Sequence, residues 1–177
     1  VWFGTEGKGV GVYNPYDAKD TIYSFYQSSG LRGSWVKCFT EDLSTGQVYI
    51  GTSDNGIYAV KRGRGGNPVN SFNAIETETG EVPKQITALQ IINGQLWFAN
   101  VKGEYGFIQD KQITLFKEPN KSFRNIVAHE NTIWVGSKDN GIMRFDIEQD
   151  SIQNKEWMNS NRNSGFQSNN IYQLIYH

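Results

Sequence analysis

The sequence predicts an all-β fold made of repeated four-stranded units, and two observations support this prediction. A hairpin phrase occurs four times, each time as two alternating apolar runs separated by turn residues. Its copies are VWFGTEGKGVGVY (1–13), VYIGTSDNGIYAV (48–60), LWFANVKGEYGFI (96–108) and IWVGSKDNGIMRF (133–145). The aromatic residues of the first strands of these copies are 47, 48 and 37 residues apart, near the period of about 40–50 residues of propeller blades. We therefore expect a β-propeller of about four blades.

Four strands can be placed in each complete unit. The expected strands are 35–41, 48–52, 57–62 and 69–75 in the second unit, 86–92, 95–100, 105–109 and 112–116 in the third, and 123–129, 132–137, 142–147 and 151–157 in the fourth. The inner strands are apolar on both faces, as strands between two neighbouring sheets must be. The predicted blades are 34–76, 86–116 and 123–157, and no window predicts a helix.

The two ends of the chain predict one further blade that is split between them. Residues 1–27 supply a second, third and fourth strand, whereas 170–176 have the pattern of a first strand with no strand after it. If the chain closes into a ring, this first strand pairs beside residues 2–4 and removes the exposed edges. If the chain is a piece of a larger propeller, as its start within a repeat indicates, both edges stay open. The sequence leaves both arrangements open.

The composition excludes several classes of function. Lys plus Arg number 17 and Asp plus Glu 18, so the net charge is −1 and no general positive field attracts nucleic acid or an anionic membrane. The single cysteine, Cys38, rules out an internal disulfide and a zinc cluster of thiolates. No run of about 18 apolar residues is present, so no membrane span is expected. No cofactor or metal site is predicted.

The phrase GLRGSWVKCFTED (30–42), followed by GQVYIGTSDNGIYAV (46–60), resembles the two-component regulator propeller repeat. In that family a Gly-Leu and Asn segment, an apolar strand and an acidic pair lead into a glycine, an aliphatic residue, Trp and Ile-Gly-Thr. GFQSNNIYQLIYH (165–177) is similar to the first half of the pattern. The third copy departs from it, with Ala99-Asn100 in place of Gly-Thr. The resemblance covers nearly the whole chain.

This resemblance implies the extracytoplasmic, periplasmic sensor region of a hybrid two-component histidine kinase of the kind found in gut-type Bacteroidetes. In that family, long propellers precede a small β-sandwich, a membrane span and the kinase, and the ligands are often oligosaccharides from polysaccharide breakdown. Such propellers usually contain more blades than this chain encodes, which favours a fragment of a larger propeller.

The first candidate ligand-binding residues are Trp35 and Arg32. Trp35 stands where the family pattern favours Asn, directly after a loop that contains Arg32. An indole face beside a guanidinium group can stack on a sugar ring and donate hydrogen bonds to its hydroxyls. The alternative is a ring that only caps the top of the blade.

Further candidates lie in the fourth linker and in the turns. Trp157 and Arg162 form a similar pair at the linker 158–169. The turns that join second and third strands should emerge on the same face, so Asp54 and Asp139 are also candidates for ligand binding. Asp-Asn-Gly is equally explained as turn chemistry, because Asn and Gly tolerate a positive φ.

The sequence offers little for catalysis. The only histidines are His129 and His177, each at the end of a first strand, and no Gly-x-Ser-x-Gly or His-Glu-x-x-His motif is present. Cys38 alternates within an apolar strand, which predicts an inert buried thiol. We predict no catalytic residue, although a propeller lyase could assemble its centre across blades without a local motif.

The preferred hypothesis is therefore a sensor propeller without catalysis of its own, which binds carbohydrate and self-associates, as a homodimer for example. The alternatives are a propeller-type lyase or other carbohydrate-active enzyme, and a protein-interaction scaffold.

Overall fold

The computed structural model describes residues 1–16, 22–25, 29–33, 35–63, 71–80, 82–163 and 165–176. In this part of the chain four antiparallel sheets follow one another, one for each repeat. The first contains β1 (Trp2–Gly4), β2 (Val10–Tyr13) and β3 (Ile22–Phe25); the second β4 (Val36–Asp42), β5 (Gln47–Thr52), β6 (Gly56–Lys61) and β7 (Asn73–Ala74). The third contains β8 (Ile86–Ile92), β9 (Gln95–Asn100), β10 (Glu104–Gln109) and β11 (Gln112–Lys117); the fourth β12 (Phe123–His129), β13 (Thr132–Ser137), β14 (Ile142–Glu148) and β15 (Ser151–Met158).

The strands of each sheet are neighbours in the order in which they follow along the chain. The all-β prediction is confirmed, and β8, β9, β12 and β13 begin and end at the expected residues. The strand expected at 69–75 is shorter: residues 71 and 72 are not part of β7, since the Phe72 N–H donates to the Ser29 carbonyl at 2.9 Å and not to β6. Residues 69 and 70 lie outside the described residues. Nowhere in the described part of the chain is there a helix long and apolar enough to cross a membrane.

A polar side chain at the end of the second strand closes the turn that follows in the second, third and fourth sheets. The Thr52 hydroxyl donates to the Gly56 carbonyl at 2.9 Å and accepts the Asn55 N–H at 3.0 Å, and Ser137 makes the same two bonds in the fourth sheet. In the third copy the Asn100 side-chain oxygen accepts the N–H groups of Lys102 and Glu104 instead. The Ala-Asn departure from the repeat therefore preserves the turn with a different acceptor.

Three apolar clusters lie between consecutive sheets. The first joins the first and second sheets, the second joins the second and third, and the third joins the third and fourth. Trp97 is fully buried in the last of these, and Trp2 packs edge-on against Phe39 in the first. The shared repeat position of Trp2, Trp97 and Trp134 predicts packing between sheets. Trp2 and Trp97 pack in this way, whereas Trp134 belongs to none of the three clusters, is half-buried and stacks on the Tyr176 ring at 6.1 Å. Among the described residues, no cluster of buried residues joins the fourth sheet to the first.

The C-terminal residues 170–176 differ from the predicted first strand. They form no strand in the described structure, because a strand needs a partner and no second strand lies beside them. They lie along the fourth sheet, where the Ile171 N–H donates to the Ser137 carbonyl at 2.9 Å and the Tyr176 ring stacks on His129 at 4.1 Å. The pairing that would close the ring within one chain is not formed, since in the described residues β1 pairs with β2 alone.

Small residues in the second strands let the next sheet approach closely. A Cβ added at Gly51 would lie 2.4 Å from the Cys38 sulfur and 2.6 Å from Ile86 Cγ2. We expect Gly51→Ala to lower the free energy of unfolding by about 1–3 kcal/mol, as overpacking does, measured by urea denaturation.

The control is Gly165→Ala, because a Cβ added at Gly165 has no neighbour within 4 Å. This change should alter the free energy of unfolding by less than about 0.5 kcal/mol. If the two substitutions change the free energy of unfolding equally, the close packing at Gly51 does not determine stability.

Candidate functional site

One edge of the fold brings together the turns between second and third strands and the linkers between sheets. The Lys138 N–H donates to the Ser122 carbonyl at 2.8 Å, and the Gly141 N–H donates to the Asn169 carbonyl at 2.8 Å. The turn of the fourth sheet is thus held between the linker before that sheet and the linker after it. This edge is the face on which the sequence places its candidate site.

A polar pocket of about 270 Å³ opens at this edge of the fourth sheet. It contains three of the six predicted ligand-binding residues, Asp139, Trp157 and Arg162. The remaining lining residues are Lys121, Asn140, Asn159, Asn161 and Asn169. The pocket is rich in side-chain amides and holds two cations and one carboxylate.

The linker that forms one wall of the pocket is shaped by its own asparagines. The Asn159 carbonyl accepts the N–H groups of Arg162 and Asn163 at 3.0 and 2.8 Å, and the Asn169 side-chain oxygen accepts the Ser160 N–H at 2.7 Å. Gly141 completes the junction at φ 83°, where a Cβ would lie 2.1 Å from the Met158 carbonyl oxygen. Only glycine fits there, because the position needs a left-handed backbone and has no room for a side chain.

Trp157 contacts both an aromatic ring and a cation. Its ring is nearly parallel to that of Phe123, with centroids 6.4 Å apart and an interplanar angle of 13°. The Lys121 ammonium group lies 5.2 Å from the centroid of the indole and donates to the Asn140 side-chain oxygen at 2.5 Å. The indole therefore holds Lys121 at the pocket by a cation–π contact and does not offer a bare stacking surface.

Lys121 is the one charged residue of the pocket that the sequence did not reveal, and the four lining asparagines were not predicted either. Lys121 belongs to the linker 117–122, which has no motif of its own. The available signal was indirect, because linkers and second-to-third turns share one edge of such a fold, which places Lys121 beside the turn 138–140.

The other three predicted residues form a separate group at the second sheet. The Trp35 ring is 46% exposed and its backbone N–H donates to Asp54 Oδ1 at 3.3 Å. The Arg32 carbonyl accepts a hydrogen bond from the Asn55 side chain at 3.2 Å. The Lys37 ammonium group, bound to Glu6 at 2.9 Å, lies 5.5 Å from the Trp35 centroid. Asp54 thus fixes the loop backbone, whereas the repeat-equivalent Asp139 lines the pocket.

The residues considered for catalysis are not assembled into a centre in the described part of the chain. The His129 ring is stacked on Tyr176, and its Nε2 lies 3.9 Å from Glu130 Oε1. His177 lies outside the described residues. In the described ranges no three His, Cys, Asp or Glu side chains are grouped to hold a metal ion.

Comparison with known proteins gives the fold its name. No model of a protein family matches the chain, and no curated protein matches it. PorZ, described as an essential bacterial surface component of the type-IX secretion system of Porphyromonas gingivalis, superposes with a TM-score of 0.69 and 17% identity over 97% of this chain. The β-propeller domain of Cps50 (Swd1) from Myceliophteria thermophila superposes with a TM-score of 0.59 and 17% identity over 84% of it.

The fold is that of a β-propeller. The four sheets are its blades, and the pocket lies at the edge of the fourth blade. The chain spans 27% of the PorZ chain and 48% of the Swd1 propeller chain. At 17% identity these likenesses concern the fold and not the activity of either protein.

The structure also predicts the reactivity of Cys38. Although part of the residue is exposed, its sulfur packs in the cluster between the second and third blades, and burial raises the pKa of the thiol to about 12. Since the thiolate is the reactive form, an aromatic disulfide reagent at about pH 8 should label the native chain at least about a hundredfold more slowly than the urea-unfolded chain. Equal labelling rates in the two states would show that the sulfur is accessible.

Proposed function

We propose that this chain is the ligand-binding propeller of an extracytoplasmic sensor in a hybrid two-component system, that it lies in the periplasm, and that it responds to carbohydrate without catalysis of its own. The repeat phrases at 30–60 and 165–177, which resemble the two-component regulator propeller repeat, support the family context. The pocket at the fourth blade supports the ligand-binding role.

The observation that carries the proposal is the convergence of Asp139, Trp157 and Arg162 on one pocket with Lys121. Charged donors, a carboxylate acceptor and several amides match the hydroxyl groups of a sugar, each of which both donates and accepts. The pocket has one more cation than carboxylates, so a neutral or uronic-acid sugar suits it better than a cationic one.

The position of the pocket offers a route from binding to signalling. The linker 158–169 forms its wall and leads directly into residues 170–176, which are tied to the fourth blade through the Ile171 N–H and the Ser137 carbonyl. A ligand that binds one arrangement of this linker more tightly than another would shift the segment that follows it. Signalling requires this differential affinity and no chemical step.

We expect short neutral or uronic-acid oligosaccharides to raise the melting temperature of the chain. A ligand at about 100 times its Kd stabilises a protein by about 2.7 kcal/mol, which corresponds to about 5–10 °C for a chain of this size. A differential scanning fluorimetry screen tests this, and the absence of a shift with every oligosaccharide would overturn carbohydrate binding.

For an oligosaccharide found in that screen, we expect Asp139→Ala and Arg162→Ala each to weaken binding about tenfold or more, because each removes a charged hydrogen-bonding group. Titration calorimetry gives the Kd values. The matched control is Asp54→Ala, at the equivalent turn of the second blade, which should leave the Kd unchanged. If Asp54→Ala weakens binding as much as Asp139→Ala, the site is not this pocket.

A second candidate function is a protein-interaction scaffold, and it is favoured by exposed apolar side chains on the first blade. Val1 is 71% exposed and Ile22 57%. PorZ, with the same fold, is described as a surface component of a secretion system. A stable assembly of the chain together with no oligosaccharide-induced shift would favour this function over the sensor.

A further inference from the structure

A cavity of about 480 Å³ lies between the second and third blades, and the proposed function makes no use of it. Its lining includes Gly94, in the turn from β8 to β9, and Asp110 and Lys111, in the turn from β10 to β11. Alternate turns of an antiparallel sheet lie at opposite edges, so this cavity opens at the edge of the fold opposite to the pocket of the fourth blade. Its volume is within the range of about 300–1,000 Å³ that small-molecule sites occupy.

The floor of the cavity is apolar. It consists of side chains from the cluster between the second and third blades, namely Tyr49, Ile75, Ile91, Leu96 and Ile108. Tyr49 is half-buried, and burial together with the nearby Asp42 carboxylate raises the pKa of its hydroxyl. In the described part of the chain no hydrogen bond engages this hydroxyl. The floor thus offers branched alkyl groups and one neutral aromatic ring on which an apolar group can pack.

The corresponding place between the third and fourth blades is closed. There the Gln95 side-chain nitrogen donates to Asp150 Oδ1 at 2.7 Å, and the Gln95 side-chain oxygen accepts the indole N–H of Trp97 at 3.1 Å. Trp97 itself is fully buried. A polar bridge from one blade to the next and a large ring together fill this place.

Between the second and third blades, the same three repeat positions hold Gln47, Lys111 and Tyr49. In the described residues no hydrogen bond joins Gln47 to Lys111. The Tyr49 ring is smaller than the indole at the equivalent position and is only half-buried. The cavity therefore results from the side chains that stand at these three positions.

One wall of the cavity is a segment that bridges the two blades. The Ile75 N–H, just after β7, donates to the Ile57 carbonyl of the second blade at 2.9 Å. Three residues later the Glu78 N–H donates to the Lys111 carbonyl of the third blade at 2.9 Å, and the Glu78 carboxylate accepts a hydrogen bond from the Gln112 side chain. Because this wall is tied to both blades, the cavity is preformed, as most small-molecule sites are.

The rim of the cavity carries more negative than positive charge. Three carboxylates and one ammonium group line it, those of Asp42, Glu76, Asp110 and Lys111. Hydrogen bonds from the hydroxyls of Ser44 and Thr45 lower the pKa of Asp42, so this carboxylate is charged at neutral pH. In the described part of the chain the carboxylates of Glu76 and Asp110 have no hydrogen bond or ion pair. An excess of negative charge beside an apolar floor favours a cationic ligand.

We propose that this cavity is a second binding site, which takes a small organic cation with an apolar group, such as an aryl or branched alkyl amine. The apolar group packs on the floor. The ammonium group lies at the rim, where the carboxylates of Glu76 and Asp110 and the face of Tyr49 attract it. A neutral or acidic compound of the same shape lacks this attraction.

Nuclear magnetic resonance of the isotope-labelled chain tests the proposal with three indoles of similar shape: tryptamine, a cation, tryptophol, a neutral alcohol, and indole-3-propionate, an anion. We expect tryptamine to cause saturable shifts of the methyl signals of Ile75, Ile91 and Ile108. Its Kd should be about ten times lower than that of tryptophol, as one charged contact provides, and indole-3-propionate should bind more weakly than both. Raising the salt concentration from about 0.05 to 0.5 M should reduce the advantage of tryptamine, because salt screens exposed charges.

Substitutions that keep the size of a side chain and remove its charge test the rim. Glu76→Gln and Asp110→Asn should each raise the Kd of tryptamine about three- to tenfold and leave that of tryptophol unchanged. Asparagine also tolerates the φ of 49° at position 110. Lys111→Gln should lower the Kd of tryptamine, an effect that damage to the fold does not produce. The matched control is Glu130→Gln, at an 83% exposed side chain on the same edge of the fourth blade, which should leave all three Kd values unchanged.

Three results would overturn the proposal. The first is the absence of a saturable shift with tryptamine up to about 10 mM, or equal affinities for tryptamine and indole-3-propionate. The second is a set of shifts centred on Asp139 and Arg162, which would place the binding in the pocket of the fourth blade. The third is an unchanged Kd of tryptamine in both Glu76→Gln and Asp110→Asn, which would show that the rim does not recognise charge.

Discussion

Consecutive blades pack closely because the second strand of each blade carries a glycine or alanine where the next segment of chain crosses it. Val36 lies over Gly4, Ile86 over Gly51 and Ile171 over Gly136. The β-branched side chains fill the space that a Cβ would occupy, so the approach sets the separation of the sheets and the position of each apolar cluster. In the third copy, Ala99 occupies this place, and the Thr87 hydroxyl lies within hydrogen-bond distance of the carbonyls of Ala99 and Phe123.

The strands could be predicted from the sequence because their signals are local. Short runs of apolar residues define β9 and β13, and the Asp-Asn-Gly turn that follows β13 sets where the next strand begins. Residues 170–176 have the same local signal as β4 but form no strand, since pairing depends on a second strand that the described chain does not place beside them. The local sequence pattern therefore predicts that a segment can form a strand, but whether it does depends on another strand lying beside it in the structure.

The candidate site could be predicted only for those residues that belong to a single repeat and its linker, because contacts between separate linkers leave no local signal. Trp157, Arg162 and Asp139 belong to one repeat and its linker, so repeat alignment brought them to one edge of the fold. Lys121 comes from the linker before that repeat and lies in the pocket because its ammonium group contacts the Trp157 ring. No pattern in the sequence indicates this contact. Asp54 occupies the equivalent turn of the second blade, yet there its carboxylate accepts the backbone N–H of Trp35, which makes this turn a structural one.

Strands packed between two blades are more buried than strands of the first blade or the C-terminal segment. We therefore expect local stability to fall from the middle of the chain to its ends. β9 is buried along its whole length, whereas Phe3 and Gly4 of β1 are exposed and, among the described residues, β1 pairs with β2 alone. Native-state hydrogen exchange of the backbone amides measures this gradient directly. The account predicts that the amides of β9 exchange most slowly and that those of β1 and residues 172–176 exchange fastest. Amides of β9 that exchange as fast as those of β1 would contradict it.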